Sequence, residues 1–158
     1  MSDPTPRPSV RLSRDEAWAF VEDSHTGIVA TLRSDGVPIM LPVWFIVMDH
    51  KIYFRTGAAS KKAVRARRDP RASFLVEEGE RWAELQAVHM VGRLSEVDVT
   101  STLGVAAQER FQAKYATFRT DEAKMSDATR AKYAAARVFL EFEPEDRVLS
   151  WDNRRLNL

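Results

Sequence analysis

The spacing of apolar positions changes after His25, and the change divides the chain. Before it, Trp18, Phe20 and Val21 lend apolar surface to a segment from Arg14 to about Asp23. Ser13 precedes that segment and Glu16 stands three residues on, the spacing of a capping box, so the pattern predicts a helix. After His25 the alternation has period two. Residues 27–32, 37–47 and 51–56 read as strands joined at Ser34-Asp35-Gly36 and Met48-Asp49-His50, which predicts an antiparallel meander. A short helix from Ser60 to about Arg68 ends at Asp69-Pro70, and strands at 71–77 and 83–97 flank Glu78-Gly79-Glu80. Residues 100–135 are helical in composition, with a break near 117–121. Residues 137–142 and 147–151 complete the chain as one strand bent at Pro144, the sixth.

The second strand is apolar on both faces. Val37, Ile39, Leu41, Val43 and Phe45 oppose Met40, Trp44 and Ile46. Two-sided burial predicts a closed barrel whose outer wall is covered by a helix or a second subunit. Pro38 and Pro42 each remove a ladder donor, so the strand is expected to be bulged or partly unpaired, leaving backbone groups for a ligand.

Composition narrows the class. The 158 residues, 44% hydrophobic and 30% charged, can bury a core without disulfides or metal, and residues 13–158 read as one domain behind a loose tail of residues 1–12. There is no cysteine, which excludes disulfides, thiolate catalysis and Cys-based metal sites. A net charge of +1 argues against a general nucleic-acid binder. The polar, Pro-rich start lacks the apolar core of a signal peptide. The longest apolar run, residues 39–48, is too short to span a bilayer, so a cytoplasmic protein without a membrane partner is expected.

No GxSxG, HExxH, P-loop or GxGxxG pattern is present, and His25, His50 and His89 have no metal-ligand spacing. No general acid, base or metal site is assigned; an enzyme built on this chain leaves the hard chemistry to a cofactor. The positive charge is concentrated in residues 55–71, RTGAASKKAVRARRDPR, seven basic residues against Asp69. Arg55 and Thr56 end a strand, Gly57 allows a tight turn, and Ser60 caps the next helix, which directs backbone N–H groups and a positive dipole end at one place. Lys61 and Lys62, in the first helical turn, are repelled by that end unless an anion sits there, and Arg65 lies one turn after Lys61. Two readings stand. One is a solvated basic flank, to which Arg67, Arg68 and Arg71 belong, with Asp69 pairing a neighbouring arginine. The other is a seat for a phosphate-sized anion beside Arg55, Thr56, Lys61 and Lys62. A third, an RNA-binding barrel using the basic helix and Trp44, requires exposed aromatics beside the charge.

The segments ATLRSDGVP, PVWF, IYFRT, SKK and RDPRASFLVE, in that order, with the closing RVLSWDNRRL, resemble the pyridoxamine-phosphate-oxidase-like split β-barrel superfamily. More closely they resemble its flavin/deazaflavin oxidoreductase branch, over roughly residues 12–98 and 137–156. The resemblance implies a mainly β (α+β) fold, a six-stranded antiparallel split β-barrel with flanking helices. It implies a homodimer with FMN or coenzyme F-420 in two clefts at the interface. The cofactor phosphate would be held by Arg55, Thr56, Lys61 and Lys62 at the Ser60 helix start, and its ring would lie against residues 41–44, including Pro42, Val43 and Trp44. Trp82, Gln86 and Trp151 are the candidates to close the cleft from the opposite subunit. Coenzyme F-420 is placed ahead of FMN because its polyglutamyl tail would use Arg65 and Arg68.

The departures matter as well. The C-terminus lacks the Arg- and Trp-rich ending of true pyridoxamine phosphate oxidases, so vitamin B6 oxidation is not expected. The helical insert at about 100–135 is longer than in minimal members. It either shapes a substrate pocket or adds a packing layer around Leu103, Phe111, Tyr115 and Phe118. The expected function is hydride transfer between the cofactor and a small organic substrate. The alternative is a non-catalytic flavin-binding or stress-related protein on the same fold.

Overall fold

The capping box at the start of the chain forms. Helix α1 spans Arg14–Asp23. The Ser13 hydroxyl accepts from the Glu16 N–H at 3.2 Å, and the Glu16 carboxylate accepts from the Ser13 N–H at 2.7 Å. That N–H, together with the Arg155 guanidinium 2.7 Å away, holds the Glu16 carboxyl down at about 2. The structure is a computed structural model and describes residues 9–156, so most of the expected loose tail lies outside it. The last tail residues are fastened to the barrel: the Asp152 N–H donates to the Val10 carbonyl at 2.7 Å, and Leu12 is buried.

Strands follow where the alternation places them: β1 Thr26–Leu32, β2 Pro38–Met48, β3 Lys51–Gly57, β4 Arg71–Glu78, β5 Gln86–Val97 and β6 Arg137–Asp152. β5 starts later than expected because Trp82–Glu84 winds into a single 3-10 turn. Helix α2, Lys61–Arg68, joins β3 to β4, while α3, Thr102–Tyr115, and α4, Asp127–Ala134, lie between β5 and β6. The strands pair in the order β1-β2-β3-β6-β5-β4 and close on themselves, every pair antiparallel. Among the described residues no helix is long and apolar enough to cross a membrane.

The barrel interior is filled by Phe45, Phe54, Phe74, Leu140 and Phe142, and α1 joins this core through Trp18 and Val21. A second cluster lies outside the barrel, where Phe111 and Tyr115 of α3 cover Ile46, Tyr53 and Phe139. The bend expected at Pro144 is a bulge. Met90 pairs with Val148 and Gly92 with Pro144, so one residue of β5 faces three of β6. A side chain at Gly92 would put Cβ 2.2 Å from the Glu143 carbonyl oxygen, so the close strand approach needs glycine there.

The second strand meets expectation in part. The prolines cause no bulge: Pro38 pairs with Leu32 and Pro42 with Ile28 in unbroken register. The strand is partly unpaired, as expected, on its other edge, because β3 meets β2 only over Phe45–Met48. Residues 38–44 therefore have one partner strand, and there the barrel is split. Burial on both faces is likewise confined to the second half of the strand. Met40 is 68% exposed: among the described residues α3 covers the outer face around Ile46 and leaves Met40 open.

Candidate cofactor site

A cavity of about 840 Å³ opens where β2 and β3 part. One wall is the barrel: Pro42, Val43 and Trp44 from β2, Arg55 from β3 and Lys62 from α2. Arg137 joins them from the start of β6. Gly57 pairs with Arg137 and Arg55 with Phe139, which sets Arg55 and Arg137 two residues apart on the same outer face. The opposite wall comes from the end of the helical insert, through Phe118, Arg119, Glu122, Met125, Arg130 and Tyr133. Both expectations for the insert are thus met in part. Phe111 and Tyr115 of α3 form a packing layer, Leu103 and Phe118 are exposed, and the residues after α3 line the cavity.

Trp44 is held from behind. Its ring stacks on Tyr115 with centroids 4.5 Å apart and planes within 2° of parallel. The Tyr115 hydroxyl stands where the β1 ladder ends. Thir ladder's final pair is Thr26 with Trp44, and the next position would oppose His25 to Phe45. Instead the hydroxyl accepts from the Phe45 N–H at 2.8 Å and lies 2.7 Å from the Phe45 carbonyl and 2.9 Å from that of His25, donating to one of them. Burial pushes this phenol up to about 12, so it remains a donor. Nearby, Lys114 of α3 donates to the carbonyls of Glu22 and Ser24 at 3.0 and 2.7 Å, where α1 has no basic residue in its own last turn.

Of the cations on the cavity wall, Arg130 pairs with Asp127 and the other four are uncompensated. Burial, with Arg137 and Arg119 as neighbours, lowers the pKa of Arg55, and burial with Arg65 nearby lowers that of Lys62. The Arg55 Nε is buried without a hydrogen-bond partner. Among the described residues none of Arg55, Lys62, Arg119 and Arg137 forms an ion pair, and Glu122 is the lining carboxylate. Half-buried cations without counter-charge are costly, and an anion in the cavity offsets that cost.

The other residues of the basic stretch take different places. Thr56 Oγ1 and Ser60 Oγ are 3.0 Å apart, and Ser60 caps α2 by accepting from the Ala63 N–H at 3.2 Å. The tight turn at Gly57 forms, closed by the Ser60 N–H on the Gly57 carbonyl at 3.0 Å; Gly57 has no left-handed backbone and an added Cβ would meet only the Ser60 Cβ at 3.9 Å, so other residues would fit there too. Lys61 is exposed and does not line the cavity. Arg65 is buried with its Nε donating to Thr31 Oγ1 at 2.8 Å, and its Nη2 is buried without a partner. Arg68 donates to the Leu32 carbonyl, so neither arginine expected to meet an acidic tail lines the cavity. Arg67 pairs with Glu96 at 2.6 Å and Arg71 with Asp69 at 2.7 Å, as expected of a surface flank.

Trp82, Gln86 and Trp151 gather elsewhere, where β5 begins beside the end of β6. Gln86 pairs with Asp152 and accepts from Arg154, Ala87 pairs with Trp151, and the exposed Trp82 gives its carbonyl to Asn153 at 2.7 Å. None of the three lines the cavity. The sequence reading missed Arg119, Arg130, Tyr133 and Arg137. They lie far from Arg55 along the chain, and the pairing of β3 with β6 brings Arg137 alongside it; a basic residue opening the closing strand was the available signal.

A family model described as pyridoxamine 5'-phosphate oxidase matches residues 13–149. The chain belongs to that family. It is 32% identical over 114 residues to an F420H(2)-dependent biliverdin reductase of Mycobacterium tuberculosis, a match covering 70% of this chain and 77% of that protein. The crystal structure of a conserved hypothetical protein, also of Mycobacterium tuberculosis, superposes with a TM-score of 0.78 at 33% identity, over 98% of this chain and 93% of the other. A FAD-binding protein of Mesorhizobium loti superposes with a TM-score of 0.67 at 22% identity over 88% and 93%, a likeness of fold.

Proposed function

We propose that this protein is a homodimeric oxidoreductase that binds a phosphate-bearing flavin-type cofactor and passes a hydride between it and a small organic substrate. The observation that carries this reading is the meeting of unpaired cations, Arg55 and Lys62, with the open edge of β2 at residues 42–44. The residues fit such a group. The buried, unpartnered Arg55 Nε and the Lys62 ammonium offer charge-assisted hydrogen bonds to a phosphate; Thr56, Ser60, Lys61 and Arg65, also expected there, do not line the cavity. The free edge of β2 offers backbone N–H and C=O groups to the polar rim of a ring, and Trp44, held by Tyr115, offers a rigid flat face. Hydride exchange is chemistry that the cofactor supplies when bound; the chain binds, orients and excludes water. Coenzyme F-420 is preferred over FMN. Support for that order comes from the relative named as F420H(2)-dependent, no longer from Arg65 and Arg68.

The homodimer is supported by a band of the outer face that carries no Lys, Arg, Asp or Glu. Paired positions run across it in two rows, Met40–Ala30–Ser73–Val91 and Pro42–Ile28–Leu75–His89–Leu149, with Met40, Val91 and Leu149 well exposed. An apolar sheet face of this kind calls for cover, and a second copy would bring its own Trp82, Gln86 and Trp151 towards the cleft. The test of the catalytic half is single-turnover oxidation of the reduced, protein-bound cofactor by quinones and enones. Faster oxidation on the protein than in free solution is expected; equal rates with every acceptor would leave a passive binder.

A further inference from the structure

We propose that residues 119–135 are a lid over the cavity. Like charge between Arg119 on the lid and Arg55 on the barrel holds it off, and an anion seated at Arg55 draws it shut. The identity of that anion, the cofactor phosphate, rests on the reading above; the lid and the repulsion do not. This segment is the part of the cavity wall least tied to the fold. Between Tyr115 and Val138 no residue is buried. Among the described residues, the hydrogen bonds of residues 119–135 stay within the segment or reach Arg137 beside it. The Asp121 carboxylate accepts from the Ala123 N–H at 3.0 Å, and the Ser126 hydroxyl from the Thr129 N–H at 3.2 Å. Arg130 donates to the Met125 carbonyl at 2.9 Å. These bonds make α4 and the turn before it one small, self-capped unit that moves as a whole.

Two posts join this unit to the barrel. At the front, the Phe118 ring packs on His25 with centroids 4.1 Å apart, three residues after the buried Tyr115. At the rear, the Ala58 N–H donates to the Ala136 carbonyl at 2.9 Å, and β6 begins at Arg137. The Arg137 Nε donates to the Tyr133 carbonyl at 3.3 Å and ties α4 to that rear post. A segment fixed at both ends and unburied between them gives up little apolar contact when it swings away from the cavity. Charge then sets where it rests. Arg119 follows the front post, lines the cavity and has no hydrogen-bond partner among the described residues. It stands within Coulomb range of Arg55, whose pKa is lowered by burial first and then by Arg137 and Arg119. Glu122, the lining carboxylate, pairs with neither arginine. An anion on the unpartnered Arg55 Nε turns the force on Arg119 from repulsion to attraction.

The test is amide hydrogen exchange of residues 121–135 in the full chain, read by mass spectrometry without ligand, with saturating FMN and with saturating coenzyme F-420. Held against the barrel, the unit unfolds less often and its amides exchange more slowly. In the unliganded wild type they should exchange faster than the amides of β3 and β6, and bound cofactor should slow them roughly fivefold. Arg119→Glu exchanges repulsion for attraction and should slow them by a similar factor with no ligand present. Arg119→Gln removes the charge alone, so bound cofactor should slow its exchange much less. Raising sodium chloride from about 0.02 to about 0.5 M screens the repulsion and should slow exchange in the wild type, an arm that needs no variant. The proposal is overturned if these amides are as protected as the barrel strands in the unliganded wild type. It is overturned as well by exchange indifferent to Arg119→Glu and to salt, or by a cofactor effect undiminished in Arg119→Gln. If Arg119→Glu and salt slow exchange while neither cofactor does, the lid and its charge stand and the cofactor reading alone falls.

Discussion

The Tyr115 hydroxyl takes the place of a strand residue beside Phe45, satisfying that residue's N–H and reaching the carbonyls of Phe45 and His25. Tyr115→Phe leaves the buried Phe45 N–H without a partner, and should lower unfolding free energy in urea by about 1–3 kcal/mol. A loss under about 0.5 kcal/mol would mean that the hydroxyl is dispensable. Lys62 is the other decisive side chain. Burial lowers its pKa below 10.5, so it binds an anion well only while still protonated. Cofactor affinity should therefore fall as pH rises through that lowered pKa, and Lys62→Arg, which keeps its proton, should flatten the fall. Lys62→Ala should weaken binding roughly tenfold or more with the circular dichroism unchanged. Undiminished affinity in Lys62→Ala would return the lysine to the solvated flank.

At the scale of elements, what could be read from sequence was what is local. The Ser13–Glu16 capping box, the Ser60 cap and the Asp69–Arg71 pair depend on residues a few positions apart, and each formed as read. The covering of β2 was not legible, because apolar residues on both faces state a need for cover without saying which part of the molecule provides it. Nor were Arg119 and Arg137, since pairing and packing between distant elements bring them to Arg55. The insert has a mechanical link as well: α3 is fastened to α1 by Lys114, whose pKa burial lowers to about 8, with Glu22 and Asp23 opposing the shift. Between about 8 and the ordinary 10.5, the unfolded chain binds more protons than the folded one, so this residue makes stability rise with pH in that window. The thermal midpoint of the wild type should rise from pH 8 to pH 10 relative to Lys114→Met; parallel curves would show that the ammonium is solvated.

At the scale of the whole molecule, the described residues form a barrel with one unfinished edge and one uncovered face. The edge, residues 38–44 of β2, borders the cation-lined cavity, and the uncovered face carries Met40, Val91 and Leu149. Met40→Asp puts a charge in the middle of that face and should convert a dimer to a folded monomer by light scattering; a wild type that is already monomeric would remove the second subunit from the account. The most direct test of the central claim is a titration of the purified protein with coenzyme F-420 and with FMN, followed by absorbance and fluorescence. Saturable binding of the deazaflavin, tighter than FMN and weakened in Arg55→Ala, is the predicted result. Binding of neither, or affinity indifferent to Arg55, would contradict it.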